Sequence, residues 1–393
     1  MRKLAPLFDA ATNVEIRKRL QQHIEAGTCD TAAGEIEVDP AEYFDPGWAA
    51  RERDAVFGRT PIVVAHTSEL PAPHDFRTVS VAGTSVLLVR QEDGSVRAFA
   101  NRCRHRGAPV ASVPCGNRRV FSCPYHAWSY NSDGSLRAVT YEKSFGDVGD
   151  ASRGLVRLPC QEHGSLIWVI TQPGAAIDVQ AYLGPEMDHV LSAYALAGYV
   201  HQHTLNYDEP ANWKIILEAA LDNYHLRFLH PKTVGKYFHT NIHTFDQMGR
   251  HGRFVTARKA IRRLWDMPDD TPIDPYVIVA LYLWPNCLVV GQPDHFELWS
   301  FHPDPARPDR SRTEIKFLLP GHVTSDEDRE FLMRNVAILT QALDDEDMPM
   351  SREIQANLDR SGTTRMIFGR NEPMDQLVHL GLNEVMAAPE ARQ

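Results

Sequence analysis

Asn101-Arg-Cys-Arg-His-Arg-Gly-Ala108 and, farther along, Ser122-Cys-Pro-Tyr-His-Ala-Trp128 are the two stretches on which the reading of this chain turns. The first carries Cys103 and His105, the second Cys123 and His126, so each arm offers one thiol and one imidazole. With 6 Cys and 18 His in 393 residues, either pair alone would arise by chance roughly 0.3 times. Together, among the turn formers Gly107, Pro109 and Pro124, they read as two loops closing on one metal centre. A structural zinc site is the plain alternative. Zinc fingers, however, usually pair Cys with Cys and His with His, whereas here each arm mixes the two.

The surroundings of these loops are β-rich. Ile62–Ala65, Thr78–Val81, Ser85–Val89 and Leu166–Ile170 are short runs rich in β-branched residues. Asp93-Gly94 and Asp133-Gly134 between such runs predict hairpin turns. An all-β domain is therefore expected over residues 58–172, with a seam at Gln172–Gly174. Residues 1–57 read as a helical segment, with apolar Ile16, Leu20 and Ile24 near a helical period. Residues 173–393 are mixed: helix over Asn212–Leu229 and Asp326–Leu343, strands over Tyr276–Leu283 and Phe296–Phe301. The fold class expected is α+β.

Composition narrows the function. A formal net charge of -10 with no basic stripe argues against a nucleic-acid partner. No apolar run approaches the length of a membrane span, and Leu4–Ala11 is too short and broken for an export signal. Six scattered cysteines do not make a disulfide scaffold, so the cytoplasm is the expected compartment. Cys115 reads as a buried thiol outside any disulfide.

A second unusual stretch runs from Asn212-Trp-Lys through Asp222-Asn-Tyr-His225 to His230-Pro231. Asp222 and His225 share a face on a helix, while His230 is turned away on a straight one. Pro231 disfavours helix at the residue before it, so a bent helix end would bring both imidazoles together. An amphipathic helix with incidental histidines is the ordinary reading of such a pair.

The two stretches together resemble the catalytic alpha subunits of Rieske non-haem iron oxygenases, the aromatic-ring-hydroxylating dioxygenase family. The resemblance covers about residues 45 to 360, dense at the two motifs and loose between them. It implies that Cys103, His105, Cys123 and His126 hold a 2Fe-2S cluster, whose two imidazoles raise its potential. It implies a mononuclear iron on His225, His230 and a downstream carboxylate, with Asp222 linking that iron to a cluster. Glu346-Asp347…Gln355 fits the family's third-ligand segment, which favours Asp347 over its neighbours Asp344 and Asp345. Ala219 departs from the Asn common at that position. The implied fold is a β Rieske domain followed by an antiparallel sheet flanked by helices. The implied reaction is hydroxylation, dihydroxylation or oxidative demethylation of a small organic substrate, aromatic or otherwise apolar, by dioxygen. A Rieske electron carrier is the rival class, and it would need only the β domain. The chain shows no Gly-rich dinucleotide fingerprint, so NAD(P)H is expected to act only through a separate reductase, with or without a ferredoxin. Arg102, Arg104, Arg106, Arg118 and Arg119 crowd the cluster loops as a rim for an acidic donor or as plain solvated charge. The family's assembly implies head-to-tail trimers, with or without a small beta subunit. Phe228, Phe238, Leu281, Leu283, Phe296 and Trp299 are candidates for an apolar pocket.

Overall fold

A computed structural model describes residues 6–149, 151–323, 325–358 and 365–387. The chain divides into two compact units, one spanning Arg53–Tyr182 and the other combining the chain up to Glu52 with everything from Leu183 onward. The β unit thus extends beyond the expected limits of 58 and 172. Gln172 N donates to Gly58 O at 2.9 Å, tying its ends together. Val179 N donates to Gln161 Oε1 at 3.0 Å, and Tyr182 packs edge-on against Trp168, which keeps the segment after Gly174 on this unit.

Three antiparallel sheets build the β unit. The largest orders its strands Arg157–Leu158, Val96–Ala100, Thr84–Arg90, Asp75–Val81 and Cys115–Asn117. The second runs Cys160–His163, Leu166–Val169, Ile62–His66, and the third Val120–Ser122, Ser129–Asn131, Leu136–Ala138. Both Asp-Gly pairs occupy hairpin turns: Gly94 and Gly134 adopt positive φ of 83° and 87°, the region that glycine enters without a Cβ penalty. A Cβ at Gly134 would also lie 2.3 Å from the Phe99 ring. The core gathers Phe76, Phe99, Phe121, Trp128 and Tyr130 together with Cys103 and Cys123.

The second unit is organised on a seven-stranded antiparallel sheet. Its strands lie in the order Tyr199–Glu209, Ser311–Pro320, Phe296–Pro303, Cys287–Gly291, Val277–Leu283, His251–Arg258, Phe238–Met248. Helix Trp213–Leu221 packs on strand Phe296–Pro303 and touches helices Met348–Leu358 and Pro373–Ala387. Asn212 caps its start by accepting from Lys214 N, and Gln355 Oε1 accepts from Asn212 N at 2.7 Å. Lys214 is fully buried, its ammonium paired with Glu52 at 2.5 Å and donating to Glu42 O at 2.7 Å. That ion pair fastens the metal-motif helix to the N-terminal segment. Helix Ala10–Ala26 lies against strand Phe238–Met248. No helix among the described residues is long and apolar enough to cross a membrane.

Candidate functional site

Two loops of matching shape present the Cys and His residues of the β unit. In the first, Cys103 N donates to Ala108 O and Gly107 N to Cys103 O, at 2.8 and 2.9 Å. In the second, Cys123 N donates to Trp128 O and Ala127 N to Cys123 O, at 2.8 and 3.0 Å. Gly107 and Ala127 take positive φ, 80° and 58°, which folds each loop back on itself. Both cysteines are buried. The His105 and His126 rings lie 4.6 Å apart, and His105 stacks on Trp128 at 5.1 Å with Phe145 edge-on. The Nδ1 atoms of His105 and His126 are buried and have no hydrogen-bond partner. An unsatisfied buried nitrogen is costly, and a pair of loops that each carry one buried thiol and one such nitrogen suits a Rieske cluster. Tyr130 contributes what the sequence did not reveal: its hydroxyl lies 3.2 Å from Cys103 Sγ and accepts from Arg104 N at 3.0 Å.

Cys115 is not the buried thiol expected. It is exposed, on a short strand paired only with Asp75–Arg77, and lies outside the core. All six cysteines are free.

In the larger unit, the expected helix over Asn212–Leu229 is broken. It stops at Leu221, Asp222 is extended (φ -105°, ψ 158°), and a single turn follows over Leu226–Leu229. The break belongs to the Asp222 side chain, which competes with the helix for backbone donors. Its Oδ1 accepts from Tyr224 N at 2.6 Å and His225 N at 3.1 Å, and its Oδ2 lies 2.9 Å from His225 Nδ1. This kink, upstream of Pro231, brings the His225 and His230 rings to 5.1 Å.

Asp347 arrives from the opposite side. Helix Asp326–Ala342 passes into a wide π-type turn over Leu343–Asp347 before continuing as Met348–Leu358. Such turns insert a residue and re-aim side chains, often at functional sites. Here the turn points Glu346 and Asp347 inward and leaves Asp344 and Asp345 exposed. Ligand atoms of His225, His230 and Asp347 all lie within 4.8 Å of one another. His230 Nε2 and Asp347 Oδ1 face each other at 3.0 Å, yet Asp347 Oδ1 has no aligned hydrogen bond. Two lone-pair atoms so placed fit a cation between them. Each imidazole is oriented by a carboxylate on its other nitrogen: Asp222 for His225, and Glu346 for His230 at 2.6 Å. That leaves both Nε2 atoms free for a metal. Glu346 also accepts from Thr233 Oγ1. Its role had no sequence signal beyond adjacency to Asp347.

The three residues open onto a cavity of about 220 Å³. Helix residues such as Ile216, Ala220 and Leu343 form one wall, and strand residues such as Phe254, Ala280 and Val290 the other. Of the apolar pocket candidates, Phe238 and Trp299 line this cavity. Leu281, Leu283 and Phe296 are instead buried in the core, and Phe228 is 71% exposed.

Residues 60–165 match the family model of the Rieske [2Fe-2S] domain, and residues 196–388 that of the ring hydroxylating alpha subunit catalytic domain. Benzene 1,2-dioxygenase subunit alpha of Pseudomonas putida is 31% identical over 219 residues, covering 54% of this chain and 48% of its own. The carnitine monooxygenase oxygenase subunit of Acinetobacter pittii is 34% identical over 204 residues, covering 48% and 52%. The chain spans about half the length of the curated relatives it matches. Among solved structures, a quaternary ammonium Rieske monooxygenase superposes with a TM-score of 0.75 at 18% identity, over 94% of this chain and 98% of that one. Naphthalene 1,2-dioxygenase from Rhodococcus sp. gives 0.73 at 19% identity, over 97% and 98%. With a Rieske domain leading into that catalytic domain, this chain belongs to the family of Rieske oxygenase alpha subunits.

Proposed function

We propose that this chain is the terminal oxygenase component of a multi-protein system that hydroxylates or dihydroxylates a small organic substrate with dioxygen. The convergence of His225, His230 and Asp347 at the wall of a largely apolar cavity carries the reading. Iron in a two-histidine, one-carboxylate site keeps open positions for dioxygen, and a Rieske cluster supplies electrons one at a time. The residues of this chain hold and orient those groups. Asp222 and Glu346 fix the two imidazoles, the cavity walls exclude water and confine the substrate beside the ligands, and Tyr130 sits against the Cys103 sulfur. The same arrangement serves monooxygenation, including oxidative demethylation, which the carnitine monooxygenase relative makes the second reading. Electrons come from a separate reductase, directly or through a ferredoxin, and the working form is a head-to-tail trimer that places the cluster of one subunit opposite the iron of the next. The compartment is the cytoplasm.

The test is metal analysis with an absorbance spectrum. The expected result is about three irons per chain and Rieske absorbance that Cys103→Ser or Cys123→Ser abolishes. Asp347→Ala should remove one iron and all turnover while leaving that absorbance; zinc alone, or unchanged absorbance in both cysteine variants, would overturn the reading. Retained activity in Asp347→Ala with loss in Asp345→Ala or Asp344→Ala would move the third ligand.

A further inference from the structure

The strand wall of the cavity is not uniformly apolar. Strand Phe296–Pro303 alternates so that Glu297 and Trp299 both reach the cavity, with Glu297 paired across to Val290. A carboxylate that is 4% exposed in such a wall is costly unless it is held. Glu297 is held: Oε1 accepts from Gln292 Nε2 at 3.1 Å and from His295 Nε2 at 3.2 Å, and Oε2 accepts from Trp299 Nε1 at 2.7 Å. An ionised carboxylate offers about four acceptor sites, so three donors leave one over, on a residue that lines the cavity.

The chemistry of what that site takes follows from its surroundings. Behind the wall, Arg258 donates through Nη2 to Gln292 Oε1 at 3.0 Å, and His295 Nδ1 lies 3.2 Å from Asp294 Oδ2. Burial disfavours the charged His295 ring, but a carboxylate lies 3.2 Å from each ring nitrogen, Asp294 on Nδ1 and Glu297 on Nε2, and the pair outweighs that cost and favours the protonated ring, raising it to about 9. In this wall two cations thus balance two anions, and the other carboxylates that line the cavity, Asp222 and Asp347, are engaged at the metal site. A cationic ligand would add an uncompensated buried charge, and an anionic one would face the Glu297 carboxylate. A neutral donor does neither. The cavity, about 220 Å³, lies below the range of about 300–1,000 Å³ usual for drug-sized ligands, which favours a small ligand.

We propose that Glu297, set by Gln292, His295 and Trp299, is the specificity-determining residue of this cavity and accepts a hydrogen bond from a neutral hydroxyl or N–H group on a small, otherwise apolar substrate. The inference rests on the reading of the cavity as the oxygenase substrate site, and it assigns that substrate's polar group.

Calorimetric titration of the metal-loaded, full-length protein with phenol, anisole and benzylamine tests it. Phenol should bind at least about tenfold more tightly than either of the others, the worth of one hydrogen bond to a charged acceptor. Glu297→Leu should erase the preference by weakening phenol alone. Because that change strands the His295 cation, the near-isosteric Glu297→Gln is the second variant, and there the phenol-to-anisole ratio should fall at least about threefold. Equal affinity for phenol and anisole, tighter binding of benzylamine, no binding of any probe at millimolar concentration, or an unchanged ratio in Glu297→Gln would each overturn the proposal. Oxygen uptake with a reductase, measured in parallel, separates the two readings. A phenol preference without uptake leaves Glu297 standing against the oxygenase reading, and uptake without a phenol preference does the reverse.

Discussion

His230 is gripped from both ends by adjacent carboxylates, Glu346 on Nδ1 and Asp347 on Nε2. The two do different work. Glu346 fixes the tautomer, because a proton kept on Nδ1 leaves the Nε2 lone pair for a metal; in the proposed iron site Asp347 would share that metal. Thr233 adds a second donor to the same Glu346 oxygen and holds it in place. Glu346→Gln keeps the shape but turns either an amide nitrogen or a weaker acceptor toward the ring. Affinity for ferrous iron at this site should fall roughly 10- to 100-fold, as for other carboxylates behind a ligating histidine, with the cluster spectrum untouched. Competition against a chelator measures it. An unaltered affinity would reduce Glu346 to an anchor for Thr233.

Helix Pro373–Ala387 is fastened through one fully buried imidazole. His379 Nδ1 lies 3.0 Å from Glu42 Oε2 and its Nε2 3.1 Å from Glu218 Oε1, while Tyr43 Oη donates to the same Glu218 oxygen at 2.8 Å. Burial disfavours the charged ring, but the hydrogen bonds to Glu218 and Glu42 prevail and raise it to about 9. A folded value above the unfolded one, about 6.5, gives stability that is complete below that lower value and lost as pH climbs through the higher one. The amount is on the order of 3 kcal/mol at most. The denaturant midpoint should therefore drop between pH 7 and 9.5, and His379→Gln should be less stable at pH 6.5 with a flatter profile. Parallel profiles for the two proteins would dismiss the linkage. Elements also show where the sequence was silent. Tyr199–Glu209 and Phe238–Met248 are the outermost strands of the large sheet, and the first buries only its two ends, so neither carries the alternation that marks a half-buried strand. The turn over Leu343–Asp347 adds one residue to a helical rod, and its run of acidic residues does not signal the insertion, which is why Asp347 was reached through a motif and Glu346 had no assigned role. The helix break at Asp222 was equally hidden, since its cause is a side-chain bond to the next backbone groups. The Cys and His residues were legible because ligand chemistry dictates their types and spacing independently of the fold around them.

At the scale of the whole molecule, the formal net charge of -10 contrasts with five exposed arginines around the cluster loops. Only part of that charge is spent locally: Arg119 pairs with exposed Glu92 at 2.8 Å, and Arg118 lies over the Phe76 ring at 5.4 Å. If the rim steers an acidic donor, the second-order rate of cluster reduction should fall as salt rises from low to physiological strength, where screening acts over about 8 Å. A flat salt profile would leave these arginines as solvated charge. The proposed trimer makes a sharper demand on Asp222. Within one subunit its Oδ1 accepts from two backbone N–H groups, and its Oδ2 from the ring of His225. Every contact it makes is with a donor, and Oδ2 retains a lone pair for an imidazole of the neighbouring subunit's cluster. An amide cannot meet this set. If its oxygen stays on the backbone donors, its NH₂ opposes the His225 Nδ1 proton; if it flips, the NH₂ opposes two backbone N–H groups. Asp222→Asn should keep the Rieske spectrum and the trimer by sedimentation, because the cluster's own ligands are untouched and one hydrogen bond is a small part of a subunit interface. With the iron site reloaded, single-turnover reoxidation of the pre-reduced cluster in the presence of substrate and dioxygen should slow at least about tenfold. Reoxidation at a near-normal rate, coupled to product, would make Asp222 a helix-breaking cap for His225 and require electrons to cross between subunits by another residue.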